Sequence, residues 1–425
     1  MAISSITRPA SITNNIHRNN CIGLEVTENV MRICITSLPL DTLGGAERVI
    51  INEASYFAKQ GHDVYLIAES IDKKVLSNYN LDERVQLITY DIVDVEGLDI
   101  LDRSLSIRPY LNKIAPDVVQ AHYVEIGTWL ALQTLRITPA FTTHIHGSRL
   151  WFQDSVRRFP HLQKRCVQEI VSSVPGHSEF WNPDDEISVH RVGATVIEKL
   201  EKLALQACDV VFTNTRQLKK ELNCLYDVKA EVTPPGIHQS WSADSQKVPD
   251  LPTDKPYILS VSRLDPRKRN TLLLRAFADM DQENIHLIIG GKGEQMGELK
   301  QLASEFDIEE RVHLPGFIHD HDLPSYYKNA EIFAVPAWMS YGLTPLESIS
   351  VETKTAISTD TYVKEIISEG SGVNVIPPET SAWTRGLNEL LSCNSSPSPN
   401  LVPTINEYGD RKLDLMEVAA WGDQC

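Results

Sequence analysis

Four short segments carry residues whose types and spacing could do chemistry. In VSRLDPRKRN (261–270), Arg263 ends an apolar β-branched run and Lys268 follows five residues later, past Pro266. Two cations at the carboxyl end of a strand suit a diphosphate, because both form charge-assisted hydrogen bonds to phosphate oxygens. With Arg267 and Arg269 alongside, the same segment also reads as a solvated basic loop. In YGLTPLESI (341–349), Gly342 precedes a helix starting near Pro345. The N–H groups of Leu343 and Thr344 would then lack partners inside the helix. Glu347, in the first turn, could accept two ribose hydroxyls. It could equally just favour the positive end of the helix dipole, worth about 0.3–1 kcal/mol.

In DTLGGAERV (41–49), Gly44 and Gly45 allow close backbone approach, and the helix from Ala46 directs free N–H groups at the turn, as an anion site requires. The glycines could also serve only the turn. In TTHIHGSRL (142–150), His144 and His146 lie two apart and so share one face of a strand. They could line a cleft or supply two metal ligands, but no third ligand is close in sequence. The string His319, Asp320, His321, Asp322 falls just before a helix at Leu323, where capping or solvation accounts for it.

These segments need elements to hold them. From Arg32 onward, short β-branched runs alternate with helical patterns, and runs such as DVVFTNT suit strands buried on both faces of a parallel sheet. Strands are predicted at 32–38, 63–70, 85–91, 117–123, 140–146, 209–215 and 231–234, and again at 257–264, 285–290, 312–314, 332–335, 355–359 and 373–376. Helices are predicted at 46–58, 271–280, 295–306 and 345–351. The Pro-, Ser- and Asp-rich stretch 234–256 interrupts the alternation, and CNSSPSPNLVP (393–403) interrupts it again before an amphipathic piece at 410–421. The predicted organisation is a disordered lead-in (1–30), two doubly wound Rossmann-like halves (31–240 and 241–392), and a C-terminal piece (393–425) that crosses back. Ligands of such sheets bind at the carboxyl ends of the strands, so each segment above sits where a ligand would.

Composition narrows the class. The 425 residues carry a formal charge of −17, split as 24 Lys+Arg against 29 Asp+Glu in residues 1–240 and 16 against 28 in the rest. That balance argues against a nucleic-acid partner. The seven cysteines are never closer than thirteen residues, which excludes a CxxC site and suggests reduced thiols in a cytoplasmic protein. Residues 1–30 hold no secretory apolar segment, although an organelle transit peptide would share their composition. Gly291, Lys292 and Gly293 with Gly297 have the wrong spacing for a nicotinamide-dinucleotide fingerprint.

Taken in order, LGGAERV (43–49), HIHG (144–147), FTNTRQLKKEL (212–222), PPGI (234–237), SVSRLDPRKRNTLLLRAF (260–277), IIGGKGE (288–294), LPGFI (314–318), AEIFAVPA (330–337) and YGLTPLES (341–348) resemble the family 4 glycosyltransferases. The resemblance implies the GT-B fold, two Rossmann-like α/β domains facing an interdomain cleft. It also implies a retaining, hexosyltransferase-like enzyme that moves a sugar from a nucleotide-sugar donor to a sugar, lipid or small-molecule acceptor, with no cofactor and no metal. Gly44 and Gly45 would then lie near the donor phosphate or acceptor, and His146 beside the reacting sugar. Arg263 and Lys268 would bind the diphosphate and stabilise the leaving group. Gly342 and the N–H groups of Leu343 and Thr344 would hold phosphate, and Glu347 would clamp the ribose.

The chain departs from the family on one wall. The first of two motif glutamates falls on Met339, and an expected Gly-Gly before Glu365 is Thr361–Tyr362. Two readings follow: an active transferase with an unusual donor-sugar pocket, or a degenerate member that binds nucleotide or glycan without turnover. Basic and apolar residues also alternate in SVRRFPHLQKRCVQEI (155–170), which suggests weak peripheral membrane contact or, given Pro160, a solvated helix face.

Overall fold

Every predicted apolar run forms a strand, and all pair in parallel. The computed structural model describes residues 30–41, 44–79, 81–92, 99–123, 126–147, 192–237, 251–368 and 370–422. The segment 155–170, singled out for membrane contact, lies outside them. The first sheet holds β1 (Arg32–Ser37), β2 (Asp63–Ala68), β3 (Gln86–Thr89), β4 (Val118–His122), β5 (Ala140–Ile145), β6 (Val210–Thr213) and β7 (Ala230–Val232), in the order β3-β2-β1-β4-β5-β6-β7. Its described helices are α1 (Gly45–Lys59), α2 (Lys73–Asn78), α3 (Asp99–Ile114), α4 (Ile126–Leu132), α5 (Val192–Gln206) and α6 (Arg216–Tyr226). The second sheet holds β8 (Tyr257–Val261), β9 (His286–Gly290), β10 (Val312–Gly316), β11 (Ile332–Val335), β12 (Thr355–Ser358) and β13 (Val373–Ile376), in the order β10-β9-β8-β11-β12-β13. Around it lie α7 (Asn270–Ala278), α8 (Met296–Glu305), α9 (Leu323–Lys328), α10 (Leu343–Ser350), α11 (Lys364–Ile367) and α12 (Thr380–Ser392).

The apolar continuity of the strands has its expected cause. All five residues of β4 and all six of β5 are buried, because helices cover both faces of the sheet. The helix α1 is buried at every residue from 49 to 58, with Val49, Ile50, Ala54, Phe57 and Ala58 in the main hydrophobic core. In each sheet the strand order reverses once, between β1 and β4 and between β8 and β11. At such a switch point the loops leaving neighbouring strands diverge and open a crevice. The loops after β1, β4, β8 and β11 therefore border the two crevices.

A last helix, α13 (Ile405–Trp421), starts at a capping box in which the Thr404 hydroxyl accepts from the Glu407 N–H and the Glu407 carboxylate accepts from the Thr404 N–H. It packs on the first half. Gly409 lies so close to the Tyr56 ring that a Cβ there would come within 2.2 Å of it, and the Tyr56 hydroxyl donates to Asp410 at 2.5 Å. Cys34, Cys208 and Cys393 are free thiols. Cys224 is disulfide-bonded, so the expectation of reduced thiols fails at that residue. Among the described residues, no helix is long and apolar enough to cross a membrane.

Candidate active site

The loop after β8 is built from local interactions. The Asp265 carboxylate accepts from the Arg267 N–H at 3.1 Å and caps a single 3-10 turn, Pro266–Lys268. Arg269 then takes a left-handed conformation (φ 50°) and turns its guanidinium inward, 2.7 Å from Asp360 and 3.4 Å from the Pro336 carbonyl. This buried pair ties the loop to the ends of β11 and β12. On the other side the loop rests on Gly291 and Gly293, at φ 136° and 158°. A Cβ on either would lie 1.8 Å from the Ser262 oxygen or 2.3 Å from the Leu264 oxygen, so only glycine lets the two loops meet. Held this way, Arg263 is exposed and Lys268 half-buried. Burial lowers the Lys268 ammonium to about 8, with Asp265 opposing and Arg267 and Arg263 adding to the shift.

After β11, Gly342 is extended and caps a helix that begins at Leu343, two residues before the predicted start. Leu343 and Thr344 thus occupy its first two positions, and their N–H groups are among those a helix cannot satisfy. The earlier start moves Glu347 into the second turn, where it is fully buried, so first-turn dipole stabilisation does not explain it. Its carboxylate is engaged on both oxygens. Arg48 of α1 donates to Oε1, and the Tyr327 hydroxyl donates to Oε2 at 3.0 Å. Burial pushes this carboxyl up from its ordinary value, while Arg48 pulls the other way. Arg48 also bonds Asp320 at 2.7 Å, so Asp320 bridges the two halves instead of capping a helix. Through Arg48 the Gly44–Gly45 turn is brought to Glu347. Gly44 is extended (φ −139°), its carbonyl accepts from the Tyr79 hydroxyl at 3.2 Å, and nothing lies within 4 Å of a Cβ built on Gly45.

The third group lies at the ends of β4 and β5. His122 and His144 are register partners on neighbouring strands, and His146 follows one residue past β5. The His144 and His146 rings stack at 4.4 Å and 12°, as their spacing required. Sequence spacing missed His122, which lies 24 residues from His146 yet 2.7 Å from its Nε2 through Nδ1. Histidines at or near the carboxyl ends of two neighbouring parallel strands were the signal. One ring nitrogen from each of the three imidazoles lies within 4.8 Å of the other two, a spacing a metal ion could use. As they stand, the rings stack, His122 and His146 share a 2.7 Å hydrogen bond, and the Lys412 ammonium sits 3.4 Å from His144 Nδ1. Burial lowers all three imidazoles from their ordinary value. The Ser340 hydroxyl, next to Met339, donates to the His146 carbonyl at 2.7 Å across the cleft. The Tyr123 ring lies 5.3 Å from His146, and its phenol, raised to about 12 by burial with Glu47 adding, is pulled down by Arg263.

Ser340 and Tyr123 thus meet His146 at one place, and Glu347, Arg48 and the glycine turn meet at another. Met339 is partly buried, bridges to Thr361, and accepts through its carbonyl from the Tyr362 N–H at 2.9 Å. The Tyr362 hydroxyl reaches Glu221 of α6 at 3.3 Å, and Glu365 accepts from the N–H groups of Arg216 and Gln217 at the start of α6. Tyr362, at one of the two expected glycine positions, and Glu365 thus help hold the two halves together.

Residues 43–241 match the model for "Glycosyltransferase Family 4" and residues 242–406 that for "Glycosyl transferases group 1". A D-inositol 3-phosphate glycosyltransferase of Streptosporangium roseum is 28% identical over 212 residues, covering 45% of this chain and 49% of that protein. The chain thus spans about half the length of the curated relatives it matches. A glycosyltransferase from Rickettsia africae superposes with a TM-score of 0.69 at 15% identity, over 93% of this chain and 100% of that one. Anabaena HepE in complex with UDP superposes at 0.63 and 14% identity, over 93% and 98%. At such identities the likeness shows the fold, GT-B. With two family models matched in sequence along most of its length, the chain belongs to the family 4 glycosyltransferases.

Proposed function

We propose that this chain is a glycosyltransferase that moves a sugar from a nucleotide-diphosphate donor to a hydroxyl of a sugar, lipid or small-molecule acceptor, with retention of configuration. One observation carries the reading: Arg263, Lys268 and the opening N–H groups of α10 all belong to the loops leaving β8 and β11, on the two sides of a topological switch point. As the bond between the anomeric carbon and the diphosphate oxygen breaks, negative charge builds on the diphosphate. Preorganised cations and N–H groups answer that charge, which is usually the largest catalytic contribution. The acceptor oxygen attacks from the same face, and its proton passes to the departing phosphate oxygen. No protein nucleophile and no metal enter this scheme. The name of the S. roseum relative and the UDP bound by HepE support the reaction class.

A screen of nucleotide sugars with mixed acceptors, counting donor hydrolysis as turnover, tests the reading; donor consumption supports it. A second reading, a protein that binds nucleotide without turnover, is favoured by Met339 at the first motif glutamate and by Arg48 on Glu347. Calorimetric binding of UDP or GDP with no donor ever consumed would establish that alternative.

A further inference from the structure

The His146 imidazole is the end of a buried polar row that reaches the last helix of the chain. Glu53, from α1, is fully buried. Its Oε2 accepts from Lys412 Nζ at 2.6 Å and from the Tyr408 hydroxyl at 2.5 Å, both on α13. Its Oε1 faces His122 Nε2 at 3.5 Å. Lys412 and the histidines hold this carboxyl ionised, below its ordinary value, although burial alone would raise it. A buried carboxylate can only accept, so the His122 nitrogen facing it carries a proton. A neutral His122 then offers Nδ1 as an acceptor, and the 2.7 Å contact to His146 Nε2 is satisfied only if His146 donates. The other side of the row is polarised in the same sense. Lys412 donates to His144 Nδ1 at 3.4 Å, His144 Nε2 donates to Asn214 Oδ1 at 2.6 Å, and Asn214 Nδ2 donates to the His146 carbonyl at 3.1 Å. Both the ring and the backbone of His146 are thereby fixed.

We propose that Glu53 and His122, anchored by Lys412 of α13, are positioning residues that fix His146 as the tautomer protonated on Nε2, leaving Nδ1 as an acceptor for a hydroxyl of the transferred sugar. The step to the sugar rests on the function proposed above; the tautomer does not. His146 is partly exposed, and its Nδ1 has no hydrogen-bond partner among the described residues. The arrangement also makes α13 a working part of the site, although its Lys412 is 359 residues from Glu53 in the chain. A tie between α1 and α13 that served only packing would need neither His122 nor a settled proton direction.

Long-range nitrogen–proton NMR on the histidine-labelled full chain reads the tautomer directly, with the His146 signals assigned by their loss in His146→Asn. The expected result is a protonated Nε2 and a bare Nδ1 across neutral pH. A His146 protonated on Nδ1 overturns the proposal. The paired variant Glu53→Leu with Lys412→Met removes both charges together, so that neither is left buried alone. It should give a mixture of His146 tautomers and at least a tenfold loss in kcat, with UDP affinity within twofold of the parent. A folded paired variant that keeps the parent's tautomer also overturns it. Should that variant not fold, His122→Phe leaves the Glu53–Lys412 pair intact and gives the same readout. A correct tautomer in a protein that consumes no donor would sink the proposed function and leave this assignment standing.

Discussion

The loop that carries Arg263 and Lys268 and the row that carries His146 lie on opposite walls of one cleft, yet they are made in different ways. The loop after β8 is local. Asp265 caps the turn two residues on, Pro266 opens it, and Arg269 closes it in a left-handed conformation, all within five residues. The row is assembled from α1, β4, the end of β5 and α13, with its buried lysine at 412. Anion binding needs only cations and N–H groups in the right loop. Orienting one imidazole among buried polar groups requires partners on every side, because each unpaired one costs about 1–3 kcal/mol.

Variants can break that contrast. Replacing Arg263 and Lys268 together by alanine should lower kcat/KM by about a thousandfold or more, since a single charge-stabilising donor is worth roughly a hundredfold to a thousandfold. Circular dichroism should stay unchanged, because neither side chain is in the core. Activity kept within threefold would remove both from the site. The next effect is on stability. Arg48→Ala leaves the Glu347 carboxylate buried without its cation, which should cost about 3–5 kcal/mol in urea unfolding. Saturating UDP should return part of that loss if ribose hydroxyls take up the freed oxygen. A cost below about 1 kcal/mol would show that the two halves do not close on Arg48.

This second prediction marks where the sequence stops being legible. The strands and their order of appearance were readable from β-branched and apolar runs, although two strands buried at every position, β4 and β5, also carry Gln120, His122, Thr142, Thr143 and His144. The segments with Gly44, Arg263 and Glu347 were readable because each pairs a strand end with a helix start. Arg48, Asp320, His122, Glu53 and Lys412 were not. Their roles come from contacts 24 to 359 residues apart, which no local period encodes. The start of α10 was also misplaced: Pro345 suggested the first turn, but Pro is tolerated anywhere in that turn, and Gly342 is the true cap.

A smaller effect concerns pH. Lys268 is lowered to about 8, and an anion beside it would raise that value, so binding takes up a proton above pH 8. UDP affinity should therefore fall by about tenfold over roughly a unit of pH above 8, in proportion to the lost ammonium. Lys268→Met should flatten that slope in calorimetry. A slope unchanged in the variant would assign the titration to another group. The smallest effect is expected at the entry to α13. Thr404→Ala removes its cap and should cost about 1 kcal/mol, read as a lower midpoint in urea with an unchanged slope. If His146 depends on α13 through Lys412, kcat should fall more than UDP affinity does.

The proposed turnover of a nucleotide sugar can be read without any variant. The most direct measurement is donor consumption by the full chain across a panel of nucleotide sugars, followed by NMR of the product's anomeric configuration. One donor should be consumed with retained configuration, and the Arg263→Ala, Lys268→Ala pair should abolish that consumption. Tight nucleotide binding with every donor left intact, or a product of inverted configuration, would contradict the proposed function.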